Sequence, residues 1–261
     1  MAKYNAFGLE FFSGSIHDVV KIVSRWIVQK EHAFVCVMGA HGVVESQHNA
    51  QVLRSHKEAG LIVPDGMSLV WIGRLLGAGK TERIYGPDVF LALCEKAEKE
   101  KWNIFLFGTT PETLAKLARQ LTGRYPSLHI VGCLAPPFRP VHPNEDTKYI
   151  EVINRSKAHI VFVGLSTPKQ EIWMRDHHSA LRANVLLGVG AAFDFISGTK
   201  KQAPIWMRMA GLEWFYRLIQ EPSRLWRRYI VGNIQFLYIV IRHFASRIIA
   251  NATPLNRREI S

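Results

Sequence analysis

A chain of 261 residues with 48% hydrophobic and 21% charged side chains has globular proportions and can bury a full core, which excludes the disordered and fibrous classes. Its formal charge of +12 calls for an anionic partner, whether a phosphate ligand, nucleic acid or acidic lipid. Cys36, Cys94 and Cys133 are scattered through apolar stretches, so no disulfide framework or metal-ligand spacing arises and a reducing compartment fits.

The first residues contain no apolar run long enough for a signal peptide, and no window reaches the roughly 20 apolar residues that span a bilayer, so the chain is expected to be neither secreted nor membrane-crossing. In chain order, apolar and β-branched runs predict strands at 33–38, 61–63, 103–107, 129–131, 159–163 and 184–189. Helical periodicity predicts helices over 16–30, 67–75, 87–100, 111–124 and 169–182. Buried strands alternating with helices imply a Rossmann-like α/β core over residues 1–202, a parallel sheet with helices on both faces. Ligands in such sheets sit at the carboxyl ends of the strands, near helix N-termini that favour anions.

From Ala203 the composition changes. Residues 201–247 carry eight Lys/Arg against only Glu213 and Glu221, interleaved with nine aromatic residues including Trp206, Trp214, Trp226 and Tyr229. That mixture predicts a basic, aromatic-rich helical appendage over 203–261 that lies on an anionic membrane surface. Its apolar part, 229–241, is too short to cross one.

Several strand ends carry candidate chemistry. In Val63-Pro64-Asp65-Gly66, Asp65 either caps the helix over 67–75 or takes a proton from a hydroxyl, partial desolvation raising its pKa into the working range. Arg83, just ahead of Gly86-Pro87-Asp88, is either a surface residue or a ligand for phosphate or carboxylate. His41, beside Gly42 at a strand end, is the only histidine placed near the expected site, and Gln170 and Glu171 follow the small-polar turn Ser166-Thr167-Pro168. Asp194, at the last strand end, binds ligand hydroxyls or orients an arginine. Arg224, Arg227 and Arg228 share one helical face, with Arg217 two turns earlier, as a solvated surface or a diphosphate clamp. No H-E-x-x-H, D-x-D or P-loop motif occurs, so neither metal nor cofactor is expected.

Taken together, Val63-Pro64-Asp65-Gly66, Arg83-Ile84-Tyr85-Gly86-Pro87-Asp88, Pro168-Lys169-Gln170-Glu171, the run from Gly188 to Asp194 and the run Gly211-Leu-Glu-Trp-Phe-Tyr-Arg217, followed by Glu221-Pro222 and Arg227-Arg228-Tyr229, resemble the WecG/TagA/CpsF glycosyltransferases. The resemblance implies an inverting transferase that moves a hexose-type sugar from a UDP-sugar donor to a polyprenyl-diphosphate-linked acceptor at the cytoplasmic membrane face. It implies Asp65 as general base, Arg83 and Gln170 in the substrate site, and Arg217, Arg224 and Arg227 on a diphosphate. Where many members read Thr-x-Asn-x-x-His after the first core strand, this chain reads Val37-Met38-Gly39-Ala40-His41-Gly42, which leaves the sugar open among N-acetylmannosamine, glucose, glucuronate and similar hexoses.

The expected partners are therefore the UDP-sugar, the lipid-linked acceptor and an anionic membrane, with no nucleic acid and with room for a homo-oligomer. The competing class is a non-enzymatic basic α/β module that binds anionic membrane or RNA. It leaves Asp65 and the 168–171 loop without a role, and no RNA-binding signature is visible. A nucleotide-sugar epimerase or dehydrogenase would need the glycine fingerprint, which is absent.

Overall fold

The computed structural model describes residues 1–139 and 142–252, so residues 253–261 of the expected appendage lie outside the described residues. A hairpin, β1 (Lys3–Ala6) and β2 (Leu9–Phe12), leads into α1 (Ile16–Val28). The core continues through β3 (Ala33–Met38), α2 (Ala40–His48), α3 (Ala50–Glu58), β4 (Leu61–Pro64), α4 (Met67–Leu75), α5 (Gly86–Glu100), β5 (Asn103–Gly108), α6 (Pro111–Arg124) and β6 (His129–Leu134). It closes with α7 (Pro143–Arg155), β7 (Ile160–Gly164), α8 (Lys169–His177), β8 (Val185–Gly188) and α9 (Ala192–Ile196).

The six core strands form one parallel sheet in the order β4-β3-β8-β7-β5-β6. Both faces are covered, which is why the strands read as continuous apolar runs. One face packs against α1, α5, α6 and α9, with Phe90 against Phe162 at 4.2 Å between ring centroids. The other takes α2 and α4 with the hairpin, and α7 and α8. Helix starts follow local chemistry: Ser15 and Asp18 cap α1 reciprocally, and Thr110 caps α6 ahead of Pro111.

The hairpin, absent from the sequence reading, turns on Phe7 and Gly8, both at positive φ (58° and 76°). Two such residues make the tight turn whose twist matches the strands. The helix predicted over 169–182 stops at His177.

Neighbouring β3 and β8 send their chains to opposite faces, β3 into α2 and β8 into α9. Diverging connections open a crevice at the carboxyl ends of the strands. Over it lie α10 (Ile205–Met209), α11 (Glu213–Gln220), α12 (Pro222–Trp226), a wide π-type turn (Arg227–Val231) and α13 (Gly232–Ala252). One face of α13 anchors this segment: Phe236 is buried beside Val43 and Val44 of α2, and Phe7 of the hairpin turn stands 6.0 Å from it.

Candidate active site

The crevice and the overlying helices enclose a cavity of about 390 Å³. Asp65 enters it from the end of β4. Its backbone N–H donates to the Met38 carbonyl (2.8 Å), which extends the strand pairing by one residue. The carboxylate does not cap α4, whose cap position is Gly66 with no side-chain bond. Instead Oδ1 accepts from the Gly86 N–H at the start of α5 (3.2 Å).

Burial raises the Asp65 pKa to about 6; the negative charge of Glu213 adds to this, while Arg83, the Gly86 N–H and Arg217 oppose it. A carboxylate with its pKa near 6 is mostly ionised at neutral pH yet basic enough to take a proton from a hydroxyl.

Arg83 lines the same cavity, but its donors are engaged with protein. Nε donates to the Asp65 carbonyl, Nη1 to the Arg208 carbonyl (3.0 Å) and Nη2 to Glu213 (2.7 Å), while the guanidinium lies 4.4 Å from the Tyr85 ring centroid. Tyr85 also donates to Glu213 (3.1 Å). Arg83, Tyr85 and Glu213 thus tie the end of β4 to α10 and α11, and they orient Asp65 from one side.

Gln170, in the first turn of α8, is buried; its Oε1 accepts from the Gly190 N–H (3.1 Å) and its Nε2 donates to Glu171 (2.9 Å). Gly190 sits at φ 51°, and a Cβ on Gly188 would stand 3.2 Å from the Gln170 amide, so the turn after β8 must be glycine-rich to meet Gln170. Asp194 contacts Lys200 (3.3 Å), Lys200 contacts Glu221 (3.1 Å), and Glu221 holds Arg224 (2.6 Å). Asp194 thus lines the cavity and stands at the head of a chain of charges that ends at Arg224. His41, at the start of α2, is held neutral: burial and then the charge of Arg228 lower its pKa to about 4. Its 3.7 Å approach to Glu45 is accordingly no ion pair at neutral pH.

The appendage arginines divide differently from the expectation of one shared face. Arg217, over the Phe195 ring at 5.5 Å, lines the cavity together with Arg224 and Arg228. Arg227 does not; it is exposed and stacks on Trp226 at 5.3 Å. Arg224 and Arg228, four residues apart, both line the cavity, Arg224 at its rim with a 54% exposed side chain held by Glu221, and the wide turn that begins at Arg227 leaves that side chain outside. Arg228 is half-buried, and its enclosed Nε has no hydrogen-bond partner among the described residues. Burial, and then repulsion from Arg217 and Arg224, lowers its pKa, with Tyr229 and Glu171 pulling the other way. Lys200, Arg83, Arg208, Arg217, Arg224 and Arg228 thus face Asp65, Glu171, Asp194 and Glu213 across one cavity. No group of three or more His, Cys, Asp or Glu residues suited to a metal stands among the described residues.

The profile of the Glycosyl transferase WecG/TagA/CpsF family matches residues 4–249. The chain belongs to this glycosyltransferase family. It is 34% identical over 207 residues to an N-acetylglucosaminyldiphosphoundecaprenol N-acetyl-β-D-mannosaminyltransferase of Bacillus subtilis (strain 168), covering 78% of this chain and 77% of that protein. It is 27% identical over 236 residues to a protein of the same name from Bacillus spizizenii, covering 90% of this chain and 89% of the relative. In this transferase, sequence reasoning passed over Tyr85, Lys200, Arg208 and Glu213 as site residues. Tyr85 and Glu213 lie inside the blocks that carry the resemblance, and Glu213 stands one helical turn before Arg217; those were the available signals.

Proposed function

We propose that the transferase moves a hexose-type sugar, with N-acetylmannosamine first among the candidates, from a UDP-sugar to a polyprenyl-diphosphate-linked saccharide, with inversion at the transferred carbon. The observation that carries this reading is the pairing of Asp65, its pKa raised to about 6, with arginines that line the same cavity. Asp65 takes the proton of the acceptor hydroxyl, the hydroxyl oxygen attacks the anomeric carbon, and the bond to the UDP oxygen breaks with its electron pair leaving on the diphosphate. Arg217, Arg224 and Arg228 then stabilise the negative charge that develops on the leaving group. One displacement by a hydroxyl activated from a single carboxylate inverts the configuration.

Arg83 is a positioning residue in this scheme, because its hydrogen bonds are spent on Asp65, Arg208 and Glu213. The names of the two Bacillus relatives support a sugar transferred to a diphosphoundecaprenol-linked acceptor. Gly39, where a Cβ would meet nothing within 4 Å, leaves room beside Asp65 for substituents on the sugar.

Residues 1–202 act as the catalytic core, and the segment from 203 docks on the cytoplasmic membrane face. No described helix is long and apolar enough to cross a membrane. Yet Trp206, Met209, Phe215, Ile219, Trp226 and Ile234 are exposed together with the outer face of α13, a composition suited to the headgroup region.

A transfer assay with a panel of UDP-sugars and polyprenyl-diphosphate-linked N-acetylglucosamine tests the reading. Product of inverted anomeric configuration, formed with and without EDTA, is expected. Retained configuration, or activity lost in EDTA and restored by Mg²⁺ or Mn²⁺, contradicts it.

A further inference from the structure

One carboxylate in the cavity has no place in the scheme above. Glu171 follows Gln170 in the first turn of α8 and is 2% exposed. Its Oε1 accepts from the Thr167 hydroxyl (2.8 Å) and from the Gln170 amide (2.9 Å). Its Oε2 is fully enclosed yet has no hydrogen-bond partner among the described residues. A buried, unmatched carboxylate oxygen costs stability, so such an atom in a cavity wall marks a contact that is incomplete until something binds.

The surroundings say what kind of group completes it. The nearest cationic influence is Arg228, which is close enough for each charge to shift the protonation of the other, but the two form no ion pair. Burial raises the Glu171 pKa, and the bonds from Gln170 and Thr167 oppose this. The two donors already held on Oε1 favour the carboxylate form, in which the free Oε2 is an acceptor for an N–H or O–H. Gln170 is already bound to Gly190 and to Glu171 itself, so the protein does not supply that donor.

Glu171 also lies in a different sector from the proposed base. Asp65 stands at the end of β4, whereas Glu171 follows β7, and β3 and β8 lie between those two strands; Glu171 is bonded to Thr167 and Gln170, Asp65 to Gly86. If the acceptor hydroxyl meets Asp65, the other substrate occupies the remaining sector.

On the reading given under Proposed function, we infer that Glu171 Oε2 accepts a single hydrogen bond from an N–H or O–H of the UDP-sugar donor, making Glu171 a specificity-determining binding residue. The donor substrate offers two sources of that chemistry: the nucleotide, through the uracil imide N–H or a ribose hydroxyl, and the sugar, through an acetamido N–H or a ring hydroxyl. Glu171→Gln keeps the volume and the acceptor for Thr167 but places an NH₂ donor where the free oxygen stood, so it faces the ligand donor with like polarity.

The test is calorimetric titration of wild type and Glu171→Gln with UDP, N3-methyl-UDP, 2′-deoxy-UDP, UDP-mannose and UDP-N-acetylmannosamine, with thermal unfolding measured alongside. The variant is expected to lose about 10–100-fold in affinity, the size of a hydrogen bond to a charged acceptor. A loss already present with UDP places the donor on the nucleotide, and wild-type discrimination against N3-methyl-UDP or 2′-deoxy-UDP then assigns it to base or ribose. A loss confined to the sugar-bearing ligands places it on the sugar, and UDP-mannose against UDP-N-acetylmannosamine assigns or dismisses the acetamido group. Unchanged affinity of a folded Glu171→Gln for every ligand overturns the inference while leaving the UDP reading intact. Should Glu171→Gln fail to fold, Glu171→Asp, which keeps the charge but draws the carboxylate back from the ligand, takes its place, and unchanged affinity of that folded variant likewise overturns the inference. Failure of the wild type to bind any of the five overturns the UDP reading and this subsite with it.

Discussion

The core and the helices laid over it satisfy their side chains in opposite ways. In the core, buried polar groups find partners: Tyr4 donates to the Leu69 carbonyl, Thr81 bonds Ser13 and Ala78, and Gln170 is held at both ends of its amide. Of the four enclosed side-chain atoms without a partner among the described residues, three belong to the C-terminal segment, on Arg208, Arg228 and His243, and the fourth is Glu171 Oε2 in the cavity wall. Among the described residues, fifteen of the twenty-one exposed large apolar side chains also lie beyond residue 202. On the proposed reading, a segment with unmatched arginine nitrogens inside and bare apolar surface outside meets an anion beneath it and an apolar phase above it, whereas the core is held by its own packing.

The comparison breaks most visibly if the core does not carry the chemistry. Asp65→Asn should keep the fold and substrate affinity but lower turnover by about 10²–10⁴-fold, the usual size of general-base catalysis, and steady-state kinetics beside thermal unfolding measures both. Near-normal turnover would remove Asp65 from the scheme.

Arg228 sharpens the claim that the segment holds unmet charge. Arg228→Met should lower kcat by about 10²-fold or more while holding or raising the stability of the unliganded protein, because a poorly compensated half-buried cation is replaced by an apolar side chain. Added UDP should raise the Tm of the wild type more than that of the variant, as ligand linkage requires.

The pH dependence joins the two regions through Glu213. Asp65 acts as a base only when deprotonated, so kcat/KM should rise with pH through about 6 and level off above it. Glu213 raises the Asp65 pKa by its negative charge. Glu213→Gln removes that charge and leaves Arg83 closer to balance with Asp65, so the midpoint should move to lower pH. An unmoved or raised midpoint would mean that Asp65 does not set the limb. On the outer surface the effects are smaller. Trp206→Ala with Phe215→Ala should weaken sedimentation with anionic vesicles, more so at high salt, and leave turnover on a water-soluble acceptor unchanged.

The core was largely legible because its strands are buried on both faces: the apolar runs at 33–38, 103–107 and 159–163 match β3, β5 and β7 to within about two residues at either end. The hairpin was not, since a phenylalanine at positive φ is stabilised by its surroundings in the fold and not by its own preference. The stretch 40–58 hides two helices separated by Asn49, whose extended backbone ends α2 and whose side chain caps α3. In the cavity, Asp65, Arg83 and Gln170 were legible because they stand just after a strand, just before a helix and in a helix's first turn, each within a distinctive block. Arg227 was misplaced because a regular helical wheel does not anticipate the wide turn at 227–231. Glu213 was missed because its importance comes from Arg83 and Tyr85, more than a hundred residues away in the chain.

The central claim is that the C-terminal segment completes the active site as well as the membrane contact. Turnover of the Arg217→Ala/Arg224→Ala double variant on a short, water-soluble acceptor, with no membrane present, tests it most directly. Loss of leaving-group stabilisation should lower kcat by about 10²-fold or more, with the fold intact by circular dichroism. Full turnover on that acceptor, with only vesicle binding impaired, would show the arginines to be anchors and would contradict the account.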